Sequence, residues 1–168
     1  MPRLHALELV PDRAGQDLVR RDWQALRDAG LPSQLDHHGA TNTPHVTVVS
    51  APVLPEAAID VAQVRLGSML PVRARTAGLL LLGGRRVTLA RALDLEDDVV
   101  RRVLAVRVQV PDRQHVGWLP HVTLARRVAR EDVQRAVDVL GHEDVVLTFT
   151  ELRRWDPDLG AVTWLAGH

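Results

Sequence analysis

The sequence predicts one α+β domain made of two similar lobes with antiparallel strand pairing. The chain has 168 residues, 46% of them hydrophobic, which suits one compact domain with a sizeable core. Short β-rich segments alternate with helical segments, and no linker-like stretch interrupts them. The tetrapeptide Pro-His-Val-Thr occurs at 44–47 and again at 120–123, once in each half. We therefore expect a single domain over 1–168 with one motif in each lobe.

The first half alternates strands and helices. The first predicted helix places Val19, Trp23 and Leu26 near one face. A glycine pair, Gly83-Gly84, is typical of a hairpin turn. The predicted elements are a strand at 4–10, a helix from 12 or 13 to 29, a polar loop at 35–43, a strand at 45–50, a helix from 55 to 66, and a hairpin of 72–82 and 86–92.

The second half repeats this order. Gly141 is placed to cap the C-terminal end of its second helix. The run 156–160 is rich in aspartate, proline and glycine and predicts a turn between two strands. The predicted elements are a helix at 94–106, a loop at 109–119, a strand at 121–126, a helix at 131–140, and strands at 145–152 and 161–165.

Composition excludes several classes of chemistry. The chain contains no cysteine, which rules out disulfides, thiolate nucleophiles and cysteine-ligated zinc. All 21 basic residues are arginine, so Schiff-base and lysyl-adenylate ligase chemistry are excluded as well. The net charge of zero disfavours a general nucleic-acid coat but leaves room for a local basic cleft. Four tryptophans, one phenylalanine and no tyrosine make a broad base-stacking platform improbable.

The repeated motif places a histidine and a threonine two positions apart in a β-rich setting. Side chains on a strand alternate, so residues two apart share a face about 6–7 Å from each other. His45 therefore shares a face with Thr47, and His121 with Thr123. If a pseudo-twofold axis relates the lobes, the two pairs face each other across a cleft.

Two histidines and two threonines are the side chains that phosphodiester cleavage needs. One neutral histidine can accept a proton from the attacking group, and the other, as imidazolium, can donate one to the leaving oxygen. The threonine hydroxyls can donate to the non-bridging phosphate oxygens as charge builds there. No step requires a metal ion or another cofactor.

These motifs make the sequence similar to the two-histidine (2H) phosphoesterase superfamily. That superfamily includes bacterial 2′-5′ RNA ligase-like proteins and RNA 2′,3′-cyclic phosphodiesterases. The resemblance rests on PHVTVV at 44–49 and PHVTLAR at 120–126. It implies a bilobal fold whose antiparallel sheets line a central cleft with the helices outside. It also implies that His45 and His121 form the acid/base pair, and that Thr47 and Thr123 bind phosphate.

Two further residues are candidates for substrate binding. Arg126 lies five positions after His121 and would face away from it on a straight strand, but a bend could bring it to the cleft rim as a phosphate clamp. Trp118 lies three residues before His121 and could either stack on a base or cover the core. His37 and His38 lack nearby ligands with zinc-site spacing, so we predict no metal site.

The leading hypothesis is a hydrolase that opens cyclic phosphates or cleaves 2′-5′ phosphodiesters on RNA ends or small nucleotides. The reverse reaction, 2′-5′ ligation of RNA ends, is an alternative that microscopic reversibility allows. A non-catalytic RNA- or nucleotide-binding module is another, although both intact motifs argue against it. We expect no membrane span, because the longest aliphatic run, Leu79 to Leu82, is far shorter than one. A cytoplasmic location is the default expectation in the absence of a targeting signal, and we expect a monomer.

Overall fold

A computed structural model describes residues 2–167 of the chain. Within this range the chain forms seven β-strands and four α-helices. In chain order they are β1 (His5–Pro11), α1 (Arg13–Asp28), β2 (Val46–Ala51), α2 (Glu56–Arg65), β3 (Val72–Gly83), β4 (Arg86–Leu95), α3 (Asp97–Arg107), β5 (His121–Ala129), α4 (Val133–Leu140), β6 (Val146–Asp156) and β7 (Ala161–Ala166).

The elements follow the same order twice. The first half runs β1-α1-β2-α2-β3, the second runs β4-α3-β5-α4-β6, and β7 is added at the end. His45 immediately precedes β2 and His121 opens β5, so the two motifs occupy equivalent places in the two halves. The structure thus confirms the predicted α+β class and the repeated organisation.

One seven-stranded antiparallel sheet carries both halves. Its hydrogen-bonded order is β1-β2-β5-β4-β3-β6-β7, and β1 pairs in addition with β6. The start of β6 pairs with β3, and its later part pairs with β1 and β7. Because β6 pairs with both β3 and β1, the strands β1, β2, β5, β4, β3 and β6 form a closed series of pairings. Within residues 2–167, strand β7 pairs only with β6 and is not part of this series.

The helices cross between the halves. Helix α1 follows β1 but packs against β5 and α4 of the second half. Helix α3 follows β4 but packs against β2 and α2 of the first half. The side chain of Trp23, at the centre of the buried face of α1, is only 2% exposed. Each motif strand is therefore supported from behind by a helix from the other half.

The two motif strands meet at a single residue pair, Val46 and Val122. Both valines are buried, as are Val48 and Leu124 two positions further along. Strict alternation therefore turns His45 and Thr47, and likewise His121 and Thr123, away from the core. The meeting point fixes the two motifs side by side.

Some predicted boundaries were wrong. The second strand of the hairpin was predicted to end at 92 and a helix to begin at 94, whereas β4 continues to Leu95 and α3 begins at Asp97. The side chains of residues 93–95 alternate as in a strand: Leu93 and Leu95 pair with Thr76 and Ala74 on β3, and Asp94 between them is exposed. This alternation extends β4 beyond the predicted boundary. None of the helices formed by residues 2–167 has the length and apolar character that a membrane span requires.

Candidate active site

One cleft of about 1210 Å³ collects the side chains that the sequence predicts for the site. Residues of both motif strands line it, together with others from both halves of the chain. The predicted residues that line it are His45, Thr47, Trp118, His121, Thr123 and Arg126.

The two histidine rings are held in the same way. Nδ1 of His45 lies 2.7 Å from the carbonyl oxygen of Thr43, and Nδ1 of His121 lies 2.6 Å from that of Leu119. A carbonyl oxygen can only accept a hydrogen bond, so each Nδ1 carries the proton. A proline follows each carbonyl residue and confines it to an extended conformation. Both rings are thereby fixed with Nε2 as the atom available for chemistry.

The surroundings of the two Nε2 atoms differ. Oε1 of Glu8 lies 3.3 Å from Nε2 of His45. In the sheet, Glu8 pairs with Thr47, and the residue that pairs with Thr123 on the other side is Ala90. A carboxylate in one half thus corresponds to a methyl group in the other, which breaks the symmetry between the histidines.

Glu8 belongs to a buried ionic network behind His45. Its other oxygen, Oε2, accepts a hydrogen bond of 2.7 Å from Nε of Arg153, and the two residues are only 5% and 3% exposed. The Arg153 guanidinium also donates to the carbonyl of Thr41 and lies 6.0 Å from the ring centroid of Trp164. Since both ring nitrogens of His45 face acceptors, this site satisfies both N–H groups of an imidazolium.

Each threonine of the motifs is anchored through its main chain by a tryptophan. The indole N–H of Trp118 donates to the carbonyl of Thr47 over 2.9 Å, and that of Trp23 donates to the carbonyl of Thr123 over 3.1 Å. Trp118 also packs against the hydrophobic core while it lines the cleft. Its contacts therefore include the core-covering role that the sequence left open, and its stacking on a base stays a prediction.

A β-bulge explains how Arg126 reaches the cleft. Thr123 pairs with Ala90 and Ala125 with Leu89, so Leu124 is an extra residue on β5. Leu124 and Ala125 are consequently both buried, and the alternation of faces shifts by one. Arg126 thus lines the same cleft as His121 and Thr123, although a straight strand would turn it away.

Arg107 was missed by the sequence analysis and ties the two motifs together. Its guanidinium, 6% exposed, donates over 2.8 Å to the carbonyl of Val48 on β2. It also donates to the carbonyls of His115 and Gly117, in the loop that leads to the second motif. Burial lowers the pKa of Arg107, and Arg113 lowers it further. Nothing in the local sequence indicates these contacts.

Glu8 was also missed, although the sequence offers a signal for it. A glutamate flanked by two leucines in a predicted strand indicates a charged residue with a specific partner.

The histidines outside the motifs lie apart from the motif pair or at its margin in the part of the chain that the structure describes. His37 and His38 lie at the edge of the cleft. Among residues 2–167, the only three-ligand group is His5, Asp156 and Asp158, which lies outside the lining of the cleft. There the two aspartates approach different nitrogens of His5, at 3.8 and 3.3 Å, an arrangement that suits a histidine between two carboxylates better than one ion.

The chain is similar to a known protein family and to several solved structures. The family model described as the 2′-5′ RNA ligase superfamily matches residues 14–161. Kluyveromyces marxianus Usb1 is similar in structure, with a TM-score of 0.52, 15% identity and 98% of each chain covered. Its complex with uridine monophosphate gives 0.51, 14% and the same coverage. E. coli LigT complexed with 3′-AMP gives 0.54 and 11% identity over 97% of this chain and 93% of LigT.

These identities support the fold alone, and no curated protein sequence matches the chain. The family model covers most of the chain, including both His-x-Thr motifs. The sheet, the crossed helices and the central cleft agree with the two-histidine phosphoesterase fold that the motifs predicted. The chain belongs to the 2′-5′ RNA ligase superfamily.

Proposed function

We propose that the protein is a metal-independent phosphoesterase that hydrolyses 2′,3′-cyclic phosphates or 2′-5′ phosphodiesters on RNA ends or small nucleotides. Membership in the superfamily supports a phosphoesterase type of activity. The solved relatives bear nucleotide ligands, uridine monophosphate and 3′-AMP, which favours a nucleotide substrate. The observation that carries the proposal is the matched pair of histidines, each held at Nδ1 by a main-chain carbonyl and both lining one cleft.

We infer the roles of the two histidines from the different surroundings of their rings. Oε1 of Glu8 lies 3.3 Å from Nε2 of His45, where it can accept an Nε2 hydrogen, and we therefore take His45 as the general acid. His121 has no carboxylate within 4.0 Å of its ring among residues 2–167, and its Nε2 offers a lone pair when Nδ1 carries the proton. His121 is therefore the general base. The 3.3 Å separation at His45 exceeds that of a strong charge-assisted hydrogen bond, so the Nε2 proton can be given to a leaving oxygen.

The reaction balances without any other group. Nε2 of His121 accepts a proton from water as the water oxygen forms a bond to phosphorus. The bond between phosphorus and one ribose oxygen breaks, and that oxygen takes the Nε2 proton of His45. The product is a phosphomonoester with a free hydroxyl, and proton exchange with solvent restores both rings. The reverse sequence would form a diester from the same groups.

Two threonines and an arginine of the cleft can stabilise the negative charge of the phosphate. The hydroxyls of Thr47 and Thr123 donate to the non-bridging oxygens, which gain charge in the transition state. The guanidinium of Arg126 adds a positive charge on the same wall, where it can hold a phosphate oxygen.

Turnover of a substrate panel in EDTA tests the proposal. The panel contains the four nucleoside 2′,3′-cyclic phosphates, an RNA ending in a cyclic phosphate, a 2′-5′ oligoadenylate and ADP-ribose cyclic phosphate. We expect hydrolysis of at least one member, and loss of that activity in the variants His45→Ala and His121→Ala. If RNA ends bind tightly to the wild type and to both variants while nothing is turned over, the protein is a binding module and the proposal fails.

A further inference from the structure

A second cavity, of about 810 Å³, adjoins the catalytic cleft. The two share His37, Thr88 and Arg126 as lining residues, so Arg126 stands between them. Arg86 and Arg127 line only the second cavity. A ligand that reacts between the histidines can therefore extend past Arg126 into a space with two more arginines.

Backbone strain brings Arg126 and Arg127 to the same cavity. Neighbouring residues on a strand normally face opposite sides, yet both of these side chains are exposed and line one space. Arg127 has a φ of 62°, the only positive φ of a non-glycine residue among residues 2–167. A second irregularity in the β4–β5 pairing falls at this point, between Val87 and Leu89. Strained backbone of this kind is concentrated at functional sites, and the residue that carries it here is cationic.

The second cavity carries uncompensated positive charge. No carboxylate lies within 4.0 Å of the guanidinium nitrogens of Arg86, Arg126 or Arg127 in the part of the chain described. Arg86 donates over 3.2 Å to the carbonyl of Arg127, which holds its guanidinium at the cavity wall.

The one acidic residue of the lining, Asp36, is already occupied. It accepts from the Ser33 N–H at 2.9 Å and pairs with Arg27 at 3.2 Å. The Ser33 hydrogen bond holds the pKa of Asp36 below its ordinary value. Its charge is therefore balanced by Arg27 and does not neutralise the three arginines.

We propose that the second cavity binds a second phosphate of the substrate, the phosphodiester on the 5′ side of the nucleotide that reacts. The inference rests on the proposed function and identifies the substrate as the end of a polynucleotide strand. Guanidinium groups suit phosphate because they donate two parallel hydrogen bonds to its oxygens. No phenylalanine, tyrosine or tryptophan is among the residues that line this cavity, whereas three arginines are, which favours recognition of charge there. The chain as a whole has no net charge, so attraction of a polyanionic strand depends on a local cluster of positive charge such as this one.

Four cyclic-phosphate substrates separate the contributions. They are uridine 2′,3′-cyclic phosphate, the same nucleotide with a 5′-monophosphate, a uridine dinucleotide ending in the cyclic phosphate, and that dinucleotide with an uncharged methylphosphonate link. We expect kcat/KM for the charged dinucleotide to exceed that for the plain mononucleotide by about 10- to 100-fold, the effect of a charge-assisted hydrogen bond. The methylphosphonate dinucleotide should lose most of this gain.

Variants assign the gain to the cavity. Arg86→Gln and Arg127→Gln should each reduce the ratio of kcat/KM between dinucleotide and mononucleotide towards one. Arg127→Gly removes the same charge at a positive φ that glycine adopts freely, so its effect is free of backbone strain. Arg101→Gln, an exposed change on α3 outside both cavities, is the control of equal charge and should keep the wild-type ratio.

The outcomes separate the inference from the proposed function. If the wild type hydrolyses all four substrates with the same kcat/KM, the second phosphate site is wrong while the phosphoesterase proposal stands. If the 5′-monophosphate gains and the dinucleotide does not, the strand assignment is wrong. If none of the four is hydrolysed or bound, the inference fails, and the proposed function fails with it only when no member of the wider substrate panel is hydrolysed either.

Discussion

Oε1 of Glu8 lies 3.3 Å from Nε2 of His45, whereas Ala90 occupies the matching sheet position beside the second motif. Two motifs of identical sequence, Pro-His-Val-Thr, are thus placed in different electrostatic surroundings. The difference originates in β1 and β4, where one buried position is a glutamate and its counterpart an alanine. In the mechanism that we propose, residues outside the motifs give the symmetric motif pair distinct acid and base roles.

Glu8→Gln should lower kcat for substrates with an alkoxide leaving group. Glu8 acts through His45, so we expect a loss of about 10- to 100-fold, below the ~10²–10⁴ typical of a full acid catalyst. A nucleotide ester with a 4-nitrophenolate leaving group needs no proton and should lose much less. Equal losses on both substrates would contradict the assignment of His45 as the acid. Glu131→Gln, exposed two residues before the start of α4, is the matched control.

The same variant leaves the buried cation of Arg153 without its carboxylate. Breaking such a pair from one side typically costs about 3–5 kcal/mol of folding free energy. The double variant Glu8→Gln, Arg153→Met removes the cation as well and should recover part of the stability in urea unfolding. It should not recover the lost kcat, because the carboxylate beside His45 is still missing.

Replacing either indole by a phenyl ring tests how the threonines are held. Trp118→Phe removes the donor to Thr47 but keeps an aromatic face in the cleft. A carbonyl left without its donor costs about 1–3 kcal/mol. We expect kcat to fall with little change in KM, since base stacking would survive. A rise in KM alone would assign Trp118 to substrate stacking. Trp23→Phe, at a more buried position, should destabilise the protein more.

Arg107→Met should destabilise the protein and lower activity together. The change leaves the carbonyls of Val48, His115 and Gly117 without their donor, the first in a buried and the other two in partly buried hydrogen bonds. We expect a loss of about 2–4 kcal/mol by urea unfolding, because hydrogen bonds to a charged donor are worth about 1.5–3 kcal/mol each. Arg101→Gln on the outer side of the same helix is the control and should fall within about 0.5 kcal/mol of wild type.

Asp36 gives a prediction for pH. Its pKa is lowered from 3.8, first by the Ser33 N–H and further by Arg27, and burial opposes this. A carboxyl group whose folded pKa lies below its unfolded value stabilises the fold above the unfolded pKa and ceases to do so as pH falls through the folded one. The difference in unfolding free energy between wild type and Asp36→Asn should be constant from pH 7 to 5 and shrink below 3.8. A difference that persists unchanged at pH 2 would contradict an electrostatic origin.

Sequence patterns predicted the parts of this site that depend on local geometry. Alternation along a strand is sufficient to place His45 with Thr47 and His121 with Thr123, and the repeat places one pair in each half. Membership of Arg126 in the cleft depends on a bulge, which arises from pairing with β4 and has no local signature. The effect of Glu8 on His45 depends in the same way on the pairing of β1 with β2.

Arg107 is a second kind of site residue that the sequence does not reveal. Its position on α3 is apparent from helical periodicity, but its three acceptors lie on β2 and in the loop after the helix. Main-chain acceptors carry no sequence signal, because every residue offers the same carbonyl. Residues that hold a site through the main chain are therefore the ones that a single sequence does not reveal.

The most direct test of the two-histidine chemistry is the hydrolysis of a 2′,3′-cyclic phosphate in EDTA by wild type, His45→Ala, His121→Ala and the double variant. Each single change should reduce kcat by about 10²–10⁴, and the double variant should lose far less than the product of the two, because both rings act in one step. Binding of the nucleotide should persist in all four proteins. Wild-type activity that disappears in EDTA and returns with added Mg²⁺ or Zn²⁺, or single variants that keep full turnover, would contradict the account.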